Sequence, residues 1–192
     1  MSKECLVIGP ESSGKTLLIR KIKSIINNSN GNDNDNDNEI TTVNDEDTMP
    51  TVGVDINTIT LNNNENIILR EIGGAMISRW STFIDTCDTL IFVIDISNMS
   101  SLSTSLVLLM EMYTIIMKSS KKLQDIAISF TKTDLTDITS QKIVKNTLSI
   151  DGLIIEGKRN GISINILEGN SIDDSLALQC INYINELFVC NI

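Results

Sequence analysis

The sequence predicts an α/β protein: a mostly parallel, six-stranded sheet with helices on both faces. Three observations carry this. Residues 89–95 and 126–131 are apolar runs of strand length, the mark of strands covered on both sides. Between and around them lie segments whose apolar residues recur at helical spacing. The chain also begins with an apolar stretch, Cys5 to Ile8, that runs directly into Gly9-Pro-Glu-Ser-Ser-Gly14-Lys15-Thr16, a glycine followed by four residues and then Gly-Lys-Ser/Thr.

The elements follow in order. Residues 5–8 form the first strand, and residues 17–26 the helix that leaves the glycine-rich loop. Residues 54–61 and 67–72 make a β-hairpin around the polar turn 62–66. After a helix come strand 89–95, an apolar helix over 102–117, strand 126–131, one more helix and a strand over 163–169. A final helix, 171–189, carries Ile172, Leu176, Ile181, Ile184 and Leu187 on one stripe. A parallel sheet of this kind presents its ligand sites at the carboxyl ends of its strands.

The 192 residues fit one domain with a proper core. Residues 27–38 are nearly all Asn and Asp and cannot bury enough surface to offset ordering, so about 27–48 read as a disordered insertion. Fifteen basic against twenty-five acidic side chains, net −10, argue against nucleic acid or an anionic membrane as partner. The absence of histidine excludes Ser-His-Asp and Cys-His triads, histidine zinc ligands and histidine bases. Cys5, Cys87, Cys180 and Cys190 form no Cys-x-x-Cys pair, which favours a reducing compartment and a cytoplasmic protein over a metal site. No secretory signal is visible. The longest apolar run, 106–117, is interrupted by Glu111 and falls short of the ~20 residues of a membrane span. Ser2 and the position of Cys190, third from the end, do not fit lipidation motifs, and a monomer is expected. Trp80 reads as a core anchor and the lysines at 118–122 as a solvated helix end.

Two motifs define a chemistry. In the first, glycines permit a tight turn in which backbone N–H groups converge on phosphate oxygens at the positive end of a helix. Gly9, Glu11, Ser12, Ser13 and Gly14 supply that turn. Lys15 then reaches the β- and γ-phosphates, and the Thr16 hydroxyl ligates Mg²⁺. In the second, Thr131, Lys132 and Asp134 follow a buried strand. An aspartate there accepts from both the ring N–H and the exocyclic amine of guanine, a donor pair that adenine lacks, while the lysine stem packs along the base.

These motifs and their spacing resemble the small GTPases, and the resemblance is strongest to the ADP-ribosylation factor (Arf) family. Pro50, Thr51 and Gly53 before a strand resemble its first switch, in which the threonine senses the γ-phosphate through Mg²⁺. Arg70-Glu-Ile-Gly73-Gly74-Ala75, with Trp80 five residues on, resembles its second switch, and Glu11 within the loop is also Arf-like. The resemblance implies a P-loop NTPase fold of the small-GTPase type. It further implies GTP or GDP with Mg²⁺ as cofactors, and Thr16 and Thr51 as metal ligands. Gly74 would meet the γ-phosphate, and the backbone near Ile166 would contribute to guanine. Protein effectors and an exchange factor or activating protein would be the partners.

The chain departs from that family at several places, among them Thr131 where asparagine is commoner and residues 163–169 where the family has Ser-Ala-Lys. Ala75 stands where the family has the glutamine that orients the attacking water, which implies very slow or absent hydrolysis, with a non-cycling, nucleotide-bound scaffold as the alternative. Glu71 stands where the family has an aspartate that helps to order the Mg²⁺ shell. Only about four residues precede the first strand, so the family's membrane-binding amphipathic helix is not expected.

Overall fold

The computed structural model describes residues 3–29, 51–61, 63–119, 123–170 and 172–189. The expected architecture is present: one six-stranded sheet in the order β2-β3-β1-β4-β5-β6, with only the edge strand β2 antiparallel to its neighbour. The strands are β1 (Lys3–Ile8), β2 (Val54–Thr60), β3 (Asn66–Ile72), β4 (Thr89–Asp95), β5 (Asp125–Thr131) and β6 (Ser163–Glu168). The helices are α1 (Lys15–Ser29), α2 (Trp80–Ile84), α3 (Leu102–Lys118), α4 (Ile138–Thr147), α5 (Ile150–Arg159) and α6 (Ser175–Val189).

Side chains alternate across a strand, so each central strand feeds two cores. On β1, Cys5 and Val7 face the cluster made with Leu18 and Ile22 of α1 and Leu176, Cys180 and Ile184 of α6. Leu6 and Ile8 face the cluster made with Trp80 and Ile84 of α2, Leu109 and Met112 of α3, and Leu153 of α5. Trp80 is fully buried and meets the Phe92 ring edge to face at 5.9 Å, the expected core anchor.

Three expectations need correction. The insertion does not begin at residue 27, because α1 continues through Asn27, Asn28 and Ser29; residues 30–50, including the rest of that segment and Pro50, lie outside the described residues. Between β5 and β6 there are two helices rather than one, broken at Ser149, whose φ of 51° is left-handed. The last helix starts at Ser175. Ile172 precedes it and is 52% exposed, so it does not belong to the buried stripe; Ser171 lies outside the described residues. Beyond these corrections, Met99–Lys118 is long and apolar enough to cross a membrane by length and composition alone. In this fold it lies on the sheet, with Leu108, Leu109, Met112, Tyr113 and Ile116 buried. Of the lysine cluster, Lys118 is exposed at the end of α3, and residues 120–122 lie outside the described residues.

Candidate functional site

Among the described residues, those of the glycine-rich loop, the two switch-like segments and the Thr131–Asp134 motif lie at one end of the sheet, where the parallel strands finish; Ile166 does not. The loop after β1 carries residues 9–14, the turn after β3 carries Gly73 and Gly74, and Thr131 closes β5. Antiparallel β2 starts at this end, so Thr51 and Gly53, which lead into it, arrive there as well.

The loop after β1 has the backbone its sequence requires. Gly9 has φ 152° and sits so close to β4 that a Cβ would lie 2.2 Å from the Val93 carbonyl oxygen; no other residue fits. Ser12 (φ 58°) and Gly14 (φ 90°) are also left-handed, and the turn delivers Lys15 to the start of α1. Lys15 is buried, and Nζ donates to the Gly9 and Pro10 carbonyl oxygens at 3.1 and 2.6 Å. Burial lowers its pKa, and the nearby Glu71 and Glu11 carboxylates partly restore it. The ammonium is therefore held in a dry turn by carbonyl oxygens, within a loop whose backbone can accept an anion.

Beside it, Thr16, Thr51 and Glu71 converge. Thr16 Oγ1 donates to Glu71 Oε1 at 2.7 Å, Thr51 Oγ1 donates to the same oxygen at 3.0 Å, and the two hydroxyl oxygens are 3.0 Å apart. Glu71 is 1% exposed, and its Oε2 has no hydrogen-bond partner among the described residues. Three oxygens, one of them anionic, with a further buried anionic oxygen unsatisfied, form a hard donor set that suits Mg²⁺. No group of three or more His, Cys, Asp or Glu suited to a metal occurs among the described residues.

The turn after β3 closes onto both of these groups. Gly73 N–H donates to the Gly53 carbonyl at 2.9 Å. A Cβ on Gly74 would lie 2.5 Å from the Glu11 backbone nitrogen, so this turn rests on the glycine-rich loop itself. Ala75, the next residue, is exposed.

Thr131, Lys132 and Asp134 stand across the same loop. Buried Thr131 donates through Oγ1 to the Ser13 carbonyl at 2.8 Å, with the Ile94 carbonyl at 3.2 Å, which fastens β5 to the loop. Lys132, left-handed at φ 58°, places Nζ 2.7 Å from Asp95 Oδ2 and 3.1 Å from the Ser12 carbonyl. Asp134 is exposed, free to face a ligand. Ile166 is not brought to this group: it lies within β6 opposite Ile128. The carboxyl end of β6 is Glu168, and the following Gly169 donates to the Phe130 carbonyl at 3.1 Å, beside the Thr131 turn. Asp95, which anchors Lys132, and Gly169 join this group in the fold, and motif reading alone did not single them out. Asp95 ends an apolar strand, and a carboxylate at that carboxyl end was the available signal.

Geometry of this kind, at the strand ends of a mostly parallel sheet, defines a P-loop nucleotide-binding protein. A sequence model of the ADP-ribosylation factor family matches residues 1–179, and the chain belongs to that family. It is 29% identical over 177 residues to human ADP-ribosylation factor-like protein 16, covering 90% of this chain and 82% of that protein. In fold it is similar to the Arl6 BBS3 small GTPase of Trypanosoma brucei, solved with the nucleotide analogue GppNp: TM-score 0.71, 17% identity, 97% of this chain and 96% of that one. It is likewise similar to the signal recognition particle receptor SRb-GTP/SRX complex of Chaetomium thermophilum, with TM-score 0.76, 17% identity, and 97% and 98% covered.

Proposed function

We propose that this chain is a guanine-nucleotide-binding switch of the Arf-like kind, which holds GTP or GDP with Mg²⁺ and presents its two switch segments to protein effectors. The observation that carries the reading is the convergence of Thr16, Thr51 and Glu71 on one point. Thr16 lies in the first turn of α1, directly after the phosphate loop; Thr51 lies in the segment that leads into β2, and Glu71 near the end of β3, next to the turn that carries Gly73 and Gly74. A ligand seated there binds the joined arrangement better than the separated one, and that difference in affinity is what drives a switch.

The residues divide the work by their chemistry. The backbone N–H groups of Glu11, Ser12, Ser13 and Gly14 and the Lys15 ammonium hold phosphate oxygens. Thr16 and Thr51 hold Mg²⁺, which, when bound, neutralises charge between the β- and γ-phosphates. The Gly74 backbone, which rests on Glu11, would meet the γ-phosphate. Asp134 reads guanine, Lys132 packs its stem along the base, and the backbone contribution assigned to Ile166 passes to Gly169. Asp134 disfavours an ATP-using enzyme.

Beside the switch segments, Val52, Val54 and Ile56 are 99%, 38% and 58% exposed, an apolar strip suited to a protein partner. Hydrolysis is very slow or absent, because the Ala75 methyl offers a water no hydrogen bond. That same residue favours the second reading, a nucleotide-holding scaffold that never cycles. The chain acts as a monomer in the cytoplasm; the free, buried thiols Cys5, Cys87 and Cys180 support the reducing compartment. Equilibrium binding of GTP, GDP and ATP with and without Mg²⁺ tests the reading. Mg²⁺-dependent binding of both guanine nucleotides, several orders of magnitude tighter than ATP, is expected; comparable ATP binding would contradict it.

A further inference from the structure

Glu71 does something at the Mg²⁺ site that neither motif accounts for. The Thr16, Thr51 and Glu71 oxygens are separated by 2.7, 3.0 and 3.0 Å, so each pair is in contact. An ionised carboxylate brings no proton, and each threonine brings one. Three contacts therefore share two protons, and in every arrangement one edge of the triangle sets two lone-pair-bearing oxygens against each other. A cation seated over the triangle removes that conflict. Oxygen ligands 2.0–2.1 Å from an octahedral Mg²⁺ lie about 2.9 Å apart at adjacent positions, and the observed edges span that value.

Burial points the same way. Glu71 is 1% exposed and its Oε2 has no hydrogen-bond partner among the described residues, so a buried carboxyl oxygen is left unsatisfied beside the triangle. Lys15 is the neighbouring cation, but its Nζ is engaged by the Gly9 and Pro10 carbonyls.

We propose that Glu71 ligates Mg²⁺ directly through Oε1, as a third protein ligand beside Thr16 and Thr51. This rests on the nucleotide–Mg²⁺ reading above and deepens it. An aspartate on the same backbone would end about one carbon–carbon bond, ~1.5 Å, short of the two hydroxyls, and would act through a bridging water. The extra methylene lets Glu71 take that water's place. With both threonines and oxygens of the β- and γ-phosphates bound, an octahedral site without Glu71 keeps two waters; with Glu71 it keeps one.

The test counts waters. The unmodified protein is loaded with Mn²⁺ and the non-hydrolysable GTP analogue GppNHp, and the Mn²⁺ electron paramagnetic resonance line is recorded in ordinary water and in water carrying the magnetic oxygen isotope. Broadening that corresponds to one water is expected for the unmodified chain, and to two for Glu71→Asp. Two waters on the unmodified chain, with nucleotide and Mn²⁺ bound, would overturn direct ligation and leave the nucleotide reading standing. Failure to hold Mn²⁺ with a guanine nucleotide would overturn both. Glu71→Asp should also raise the Mg²⁺ concentration needed for nucleotide retention by about tenfold or more; an unchanged requirement would overturn the proposal.

Discussion

Gly73 and Thr51 meet backbone to backbone: a Cβ on Gly73 would lie 2.2 Å from the Thr51 carbonyl oxygen. Gly73 has ordinary extended angles, φ −54° and ψ 139°, so what the position requires is room, not glycine's conformational freedom. The contact sets the segment before β2 against the turn after β3, and it holds Thr51 where its hydroxyl reaches Thr16 and Glu71.

Gly73→Ala must push these segments apart. Overpacking of this kind costs about 1–3 kcal/mol, and here the displaced group is Thr51. Affinity for GppNHp should fall by tenfold or more on the same scale, about 1.4 kcal/mol per tenfold. Binding of GDP, which depends on the loop after β1, should change little. Nucleotide titrations decide the matter: equal losses for both nucleotides would show that the contact serves stability alone.

Asp134→Asn replaces a double acceptor by a group that offers one acceptor and one donor. Guanine nucleotides should bind at least ~100-fold more weakly, and xanthine nucleotides should improve, because xanthine presents a carbonyl where guanine presents an amine. Competition between GDP and XDP on the variant is the measurement. Unchanged guanine preference would remove Asp134 from the site.

The phosphate and guanine motifs were legible because their chemistry is local: a turn needs its glycines, and a base reader needs its carboxylate. Long-range pairing was not legible. Nothing in residues 163–169 says which of them stands beside Thr131. The register with β5 decides it, and it sets Ile166 opposite Ile128 and leaves Gly169 at the end. The break between α4 and α5 has no glycine or proline at its centre, only Ser149 in a left-handed conformation, so the sequence carries no breaker to mark it. Ile172 kept the period of α6, but the Asp173 side chain accepts from Ser175 N–H at 2.9 Å and places the helix start after it. The extension of α1 through Asn27–Ser29 overrides the low helix propensity of asparagine. Glu71 was legible as a departure from an aspartate, whereas its contact with two hydroxyls from distant segments exists only in the fold.

Ala75→Gln restores a side chain that can orient water. Small GTPases with that group hydrolyse GTP unaided at roughly 10⁻⁴ per second. The unmodified chain should be slower, and the variant should gain intrinsic rate or respond to an activating partner. Single-turnover hydrolysis measures both. A rate for the unmodified chain at or above that of glutamine-bearing relatives would mean that another residue positions the water.

Trp80 is the sole tryptophan and lies at the head of α2, directly after the second switch turn. Its burial against Phe92 predicts a blue-shifted emission maximum, and its intensity should change when GDP is exchanged for GppNHp. Truncation to alanine should cost about 3–5 kcal/mol in denaturant unfolding. A red-shifted, nucleotide-insensitive emission would contradict this placement of α2.

The central claim is a guanine-nucleotide site that turns over slowly, and the most direct measurement is the identity and phosphate count of the nucleotide that copurifies with the protein, by chromatography and mass spectrometry after denaturation. A stoichiometric guanine nucleotide, chiefly the triphosphate, is the predicted result. Adenine nucleotide, or protein that folds nucleotide-free and takes up no GTP when Mg²⁺ is supplied, would contradict the account.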